Sequence, residues 1–180
     1  FISRRANDQI FISGCYSHAN VKLVGSDPGI MAAYNGGTHM PFEDVGALRA
    51  FPELTIIEPT DEVMLEKLLY QLVDLKGMYY IRCARKAVVR LYDSQEEFEI
   101  GKGKELREGT DVTIIASGIM TAESLKAADV LAEKGISARV VDMFTIKPLD
   151  KELVLKCAEE TGAVVTAENH SMYNGLGSAV

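Results

Sequence analysis

Residues able to do chemistry gather in one stretch, Asn35-Gly36-Gly37-Thr38-His39-Met40-Pro41-Phe42-Glu43-Asp44. His39 can carry a proton near neutral pH. Asn35 offers both a hydrogen-bond donor and an acceptor. Gly36 and Gly37 put no Cβ in the way of a ligand that approaches the backbone. Glu43 and Asp44 open a short amphipathic segment whose first turn favours acidic groups. The stretch follows an apolar run, Val21-Lys22-Leu23-Val24-Gly25. In open α/β sheets ligands collect at the carboxyl ends of strands. A strand that empties into such a loop is therefore a candidate reactive edge.

The elements that would hold this edge alternate along the chain. The pattern predicts a helix over 4–12, a strand over 21–25 and a short helix over 42–50, stopped by Phe51-Pro52. A strand follows over 54–58, closed by Pro59. Thr60 is read as the cap of a helix with Asp61 and Glu62 in its first turn and Val63, Leu65, Leu68, Leu69 and Leu72 on its apolar face. Met78 to Cys83 reads as a strand. From Leu91 to Gly109 apolar periodicity is poor and charge is dense, which reads as a linker with one short strand at Phe98 to Gly101. A second series then begins: a strand over 111–116, a helix over 121–133 ended by Gly135, a strand over 136–144, a helix over 151–160 and a strand over 162–168. Strands separated by such helices imply parallel βαβ units in both halves. The fold class is thus α/β with two domains: residues 1–95, a linker over 96–110, and residues 111–180.

Composition narrows the function. A net charge of −7 and the lack of any Lys/Arg cluster speak against nucleic acid. No apolar run approaches the roughly 20 residues that cross a bilayer. Cys15, Cys83 and Cys157 are scattered and odd in number, a poor basis for a disulfide framework or a zinc site. No metal ligand set is expected among these residues, and a reduced, cytoplasmic setting fits best. The chain opens without Met or a signal peptide, and both ends read as cut, the second where a helix begins at Gly175-Leu176-Gly177.

Taken in order, the segments Arg5-Ala6-Asn7-Asp8-Gln9-Ile10, Asn35-Gly36-Gly37-Thr38-His39 and Glu43-Asp44-Val45-Gly46-Ala47-Leu48-Arg49-Ala50-Phe51-Pro52 carry a family resemblance. It continues through Glu58-Pro59-Thr60-Asp61, Tyr80-Ile81-Arg82, Thr145-Ile146-Lys147-Pro148-Leu149-Asp150 and Glu168-Asn169-His170 before Gly175-Leu176-Gly177. Over almost its whole length the chain resembles the transketolase family of thiamine diphosphate enzymes, in particular split members whose C-terminal half is a separate chain. The resemblance implies that residues 1–95 are the latter part of a pyrimidine-binding domain. It implies that residues from about 108 onward are the family's C-terminal domain, cut short.

What the resemblance implies for single residues follows position by position. His39 matches a histidine that faces the thiazolium and the substrate carbonyl, where it stabilises charge or shuttles a proton; the alternative is a histidine satisfied within its loop. Asn35 stands where the family has Asp, the contact to the hydroxyl beside the reacting carbonyl. Asn keeps the shape but exchanges the charge for a donor. Asp27 falls where sugar-phosphate members place a phosphate-contacting His, and a carboxylate there would repel phosphate; it reads equally as a turn residue before Pro28-Gly29. Arg85 matches an Arg that forks onto the substrate phosphate, or else makes a surface ion pair. Phe1 matches, with a one-residue shift, the aromatic wall against which the aminopyrimidine stacks. His170 is read as structural rather than facing a neighbouring subunit, and His18 as solvated.

Two parts of the family's machinery are missing from the sequence: the Glu that activates the aminopyrimidine, and the Gly-Asp-Gly motif whose region holds the diphosphate and Mg²⁺. The resemblance therefore implies a transferase that moves a two-carbon ketol unit between sugars, as in pentose phosphate metabolism, with sugar phosphates the default and a non-phosphorylated or unusual sugar the alternative that Asp27 and Asn35 leave open. The chain alone would be inactive. An N-terminal diphosphate-binding domain or subunit would complete it in a homodimer or heterotetramer. Two other readings stand beside this: the β subunit of a 2-oxoacid dehydrogenase or a deoxyxylulose-phosphate synthase, and a non-catalytic interaction module.

Overall fold

The computed structural model describes residues 1–180. The N-terminal segment is helical but interrupted. It comprises α1 (Ile2–Arg5), α2 (Asn7–Gln9) and a wider π-helical stretch, Ile10–Tyr16. There follow β1 (Val21–Ser26), a 3₁₀ segment (Gly29–Asn35), α3 (Asp44–Arg49), β2 (Leu54–Ile57), α4 (Glu62–Asp74) and β3 (Met78–Cys83). The remainder is β4 (Lys104–Arg107), β5 (Val112–Ala116), α5 (Ile119–Glu133), β6 (Ala138–Asp142), β7 (Thr145–Lys147), α6 (Lys151–Thr161), β8 (Val164–Ala167) and α7 (Leu176–Ala179). No helix is long and apolar enough to cross a membrane.

Two four-stranded sheets result, ordered β1-β3-β2-β7 and β4-β6-β5-β8. Three strands in each run parallel, and each sheet carries one antiparallel edge strand, β7 in the first and β4 in the second. The two-sheet α/β class expected from the sequence is therefore the class observed. Period-two burial accounts for the first core. Leu54 and Ile56 of β2 join Met78 and Tyr80 of β3 on one face with Ile10, Val45 and Leu48. Ile57 and Ile81 face the other way, onto Met64, Leu68 and Leu72 of α4. The second sheet repeats the scheme, with Ile115 and Val141 against Val154 and Cys157 of α6, and Ile114 and Val140 against Ala128 of α5.

Four local expectations are corrected. The cap of α4 is Asp61, not Thr60: its carboxylate accepts from the Met64 amide at 2.9 Å. The other oxygen of Asp61 accepts from the Leu91 and Tyr92 amides, each at 2.9 Å, so one buried side chain secures a helix start and the strap leaving β3. No strand forms at Phe98 to Gly101. The strand in this stretch is β4, which pairs with β6. The segment expected to be a loose linker is packed down, because Tyr92 and Phe98 are buried against Phe144. Finally, the strand read over 136–144 is two: β6 ends at Asp142, and β7 crosses to the first sheet to pair with β2, Ile57 opposite Thr145. Lys147 completes that crossing, donating from Nζ to the carbonyls of Arg49 and Phe51 at the end of α3.

Candidate functional site

The C-terminal end of β1 sets the site. Gly25 allows the Tyr80 ring to lie across it, since a Cβ there would collide with the Tyr80 hydroxyl. Asp27 then turns the chain at φ 57°, a left-handed conformation that Asp tolerates better than most residues. Gly29, at φ 51°, packs so closely on Asn169 that a Cβ would overlap its Oδ1. The Asn169 side chain clamps the turn from across the molecule, accepting from the Ile30 amide at 3.0 Å and donating to the Pro28 carbonyl at 2.9 Å. The 3₁₀ segment carries the chain on to Asn35, and Gly36, at φ 75°, turns it toward His39.

These turns enclose a cleft of about 300 Å³ that Phe1, Asp27, Asn35, His39 and Arg85 all line. Every residue singled out from the sequence for catalysis or binding thus falls in one place. Phe1 and His39 meet edge to face, ring centres 5.5 Å apart, and the Arg5 guanidinium sits 4.6 Å over the Phe1 ring. Thr38 Oγ1 lies 2.8 Å from His39 Nδ1, which steadies the ring and leaves Nε2 for a ligand. Arg85 Nη2 pairs with Asp27 Oδ2 at 2.8 Å. The Arg85 side chain is 64% exposed and that of Asp27 only 10%, so this pair has one foot in the cleft and one in the core. Asp27 Oδ1 is buried with no hydrogen-bond partner.

The sequence reading gave no role of their own to Arg4, Thr38 and Tyr80, which also line the cleft. Arg4 is held by Glu43, whose carboxyl is kept below the ordinary carboxylate range by that hydrogen bond. It missed as well the buried hub behind the cleft. Arg82, 1% exposed, forks onto Asp44 from Nε at 2.8 Å and Nη2 at 3.1 Å, and donates from Nη1 to Glu58 at 2.5 Å. Its Nη2 also reaches the Asn169 carbonyl at 2.8 Å, and Ser117 donates to Glu58 at 2.7 Å. Burial alone would lower the Arg82 pKa, but the Glu58 and Asp44 carboxylates together hold it above the ordinary guanidinium value. A lone arginine inside the apolar run Met78 to Cys83 was the available signal. Tyr80 donates to the same Asp44 at 2.8 Å, and burial raises its phenol pKa.

His170 is buried. Its Nδ1 donates to the Ser171 carbonyl at 2.7 Å, and its Nε2 accepts from the Gly46 amide at 3.2 Å, so both ring nitrogens are used within the chain. His18 is exposed and pairs with Glu53.

No group of three or more His, Cys, Asp or Glu side chains is arranged to hold a metal ion. The cleft suits one end of thiamine diphosphate, a flat heterocycle against the exposed Phe1 ring beside His39. Its two lining guanidinium groups, Arg4 and Arg85, are each already matched to a carboxylate. The other end of that cofactor, a diphosphate, finds no uncommitted cation among them.

Residues 1–89 match the family model described as transketolase, pyrimidine binding domain, and residues 101–180 match that of the transketolase C-terminal domain. A 6-deoxy-6-sulfo-D-fructose transketolase subunit from Clostridium sp. (strain MSTE9) is 52% identical over 179 residues, 99% of this chain and 56% of that protein. One of the apulose-4-phosphate transketolase chains of Phocaeicola vulgatus is 41% identical, over 100% of this chain and 58% of that one. Among solved structures, a split-gene transketolase described as an inactive β4 tetramer superposes with a TM-score of 0.93 at 42% identity, covering 99% of this chain and 58% of that one. The chain therefore spans a little over half the length of these three relatives.

Proposed function

The chain belongs to the transketolase family, and from that premise we propose that it is the C-terminal portion of an enzyme that moves a two-carbon ketol unit from a ketose to an aldose. The observation that carries this reading is the convergence of Phe1, Asn35 and His39 on one cleft. Thiamine diphosphate supplies the carbon nucleophile and electron sink when bound. Phe1 offers its ring to the aminopyrimidine. Asn35 hydrogen-bonds the hydroxyl beside the reacting carbonyl. His39, steadied at Nδ1 by Thr38, holds or moves a proton at the substrate oxygen from Nε2. Asp27 and Arg85 face the far end of the sugar.

Residues 1–95 act in this reading as the pyrimidine-binding unit and 111–180 as the C-terminal unit, the packed strap between them fixing their spacing. The activating Glu, the diphosphate and its Mg²⁺ fall to another region or subunit. The chain alone is inactive, and the assembly is a homodimer or heterotetramer in the cytoplasm. That both relatives are themselves transketolase subunits supports a partnered assembly.

His39→Ala in the assembled full-length protein is the test. The expected result is a fall of about 10²–10⁴ in kcat/KM for ketol transfer, with the assembled mass unchanged by light scattering. Turnover at the original rate in an intact assembly overturns the role given to His39.

A further inference from the structure

The Asp27–Arg85 pair leaves hydrogen-bonding capacity unspent on both sides. The Asp27 carboxylate accepts from Arg85 alone, at Oδ2, while Oδ1 is buried and has no partner. A carboxylate has room for about four such bonds. Arg85, its side chain 64% exposed, spends only Nη2 on the contact. Both residues line the cleft that also holds Asn35 and His39, so an acceptor and several donors stand side by side there. A hydroxyl answers both at once, since it donates one hydrogen and accepts at its lone pairs. An ionised phosphate, sulfonate or carboxylate can only accept. It can share Arg85, but it then stands beside Asp27, a like charge that depends on the same guanidinium. That cost falls on every anion. The cleft's other guanidinium does not offset it, because Arg4 is matched by Glu43. The uncharged polar lining points the same way: Ser26, Asn35 and Thr38 can each donate as well as accept.

We propose that Asp27 and Arg85 together read a free hydroxyl at the end of the donor opposite the carbonyl, the hydroxyl donating to the Asp27 carboxylate and accepting from the Arg85 guanidinium. The cleft then takes unesterified, uncharged ketoses ahead of any anionic sugar. The inference rests on the ketol-transfer reading above and adds the class of donor to it. Asp27 and Arg85 are here specificity-determining residues, acting at the end of the sugar where no bond changes.

Four ketoses with one skeleton and different end groups test it: D-fructose, 6-deoxy-D-fructose, D-fructose 6-phosphate and 6-deoxy-6-sulfo-D-fructose. The full-length protein, assembled with its diphosphate-binding partner and thiamine diphosphate, is titrated calorimetrically with each. Ketol transfer from each to a common aldose is followed in parallel. D-fructose should bind about tenfold or more tighter than the other three: removing the hydroxyl forfeits a hydrogen bond to a charged group, and adding a charge meets Asp27. Asp27→Asn keeps the shape, tolerates the left-handed turn and releases Arg85 from its counter-ion. It should tighten both anionic sugars about tenfold and weaken D-fructose, with the change read in KM. Each sugar's ring forms are the same for both proteins and cancel from that comparison. A merely structural role for Asp27 would instead weaken all four ketoses together. Equal or tighter binding of either anionic sugar or of 6-deoxy-D-fructose by the original protein overturns the inference, as do unchanged anion affinities in Asp27→Asn. Binding in the expected order without transfer from any ketose would overturn the proposed activity and leave the reading of the end group standing.

Discussion

Single residues differ in how openly the sequence declared them. His39 and Asn35 stood out because a polar loop with paired glycines follows an apolar run, a pattern readable over a few positions. Asp27 and Arg85 were readable as types, but their 2.8 Å contact joins residues from two strand ends and no local pattern records it. Asp142 was given no role, since the sequence reading ran one strand over 136–144 straight through it. It is fully buried, accepting from Thr60 at 2.6 Å, Tyr92 at 2.7 Å and Thr121 at 3.3 Å. Burial raises its pKa from 3.8 to about 7, against the lowering effect of those hydroxyls. Between those two values the folded chain holds a proton that the unfolded chain has released. The group's contribution to stability is thus full below pH 3.8, declines as pH rises through the window, and is level above about 7. Asp142→Asn, which keeps an acceptor and never ionises, should remove that decline. Urea midpoints at pH 5 and pH 8 check it: the variant should lose less stability between them, by roughly 1–3 kcal/mol. Equal losses would mean that Asp142 is ionised throughout.

At the scale of elements, what was legible was whatever local chemistry decides. The apolar alternation of β2 and β3, the apolar stripe of α4 and the glycine stop after α5 all act within a few residues. Helix α6 is a further case, with Asp150 capping its start and Gly162 its end at φ 70°. Illegible were the elements that distant partners impose. The strap over 91–103 has no periodicity because scattered contacts hold it, Asp61 at its start and Tyr92 and Phe98 in the core. The turn at Pro28-Gly29 was readable as a turn, but not its clamp by Asn169. Gly29→Ala tests that clamp. Its Cβ would overlap Asn169 with the backbone at a positive φ, so the turn must lift. A loss of about 1–3 kcal/mol is expected, read from the denaturant midpoint, together with a weakened hold on Asp27 that loosens sugar binding. An unchanged midpoint would show that the turn yields freely.

For the molecule as a whole, the two sheets are bound by groups that belong to both halves of the sequence. Arg82 of β3 reaches Asn169 beyond β8, Glu58 after β2 accepts from Ser117 after β5, and Arg49 of α3 donates to Asn174 and Gly175. Arg82→Met should be among the most damaging of conservative-volume changes. It strands Asp44 and Glu58, both buried, at a cost of about 3–5 kcal/mol. Calorimetry should still find one transition, because the hub serves both sheets; two separated transitions would show that the halves stand independently. The β7 crossing has a consequence in time as well as in space. During synthesis β2 emerges early, yet the strand that covers its free edge lies beyond the entire second-sheet strand β6. At ordinary elongation rates the ribosome needs on the order of ten seconds to deliver it. For that interval an apolar strand presents unpaired amides and carbonyls to its surroundings, an invitation to wrong partners. The nascent chain's exposure to aggregation at this edge therefore closes only when Thr145 to Lys147 arrive.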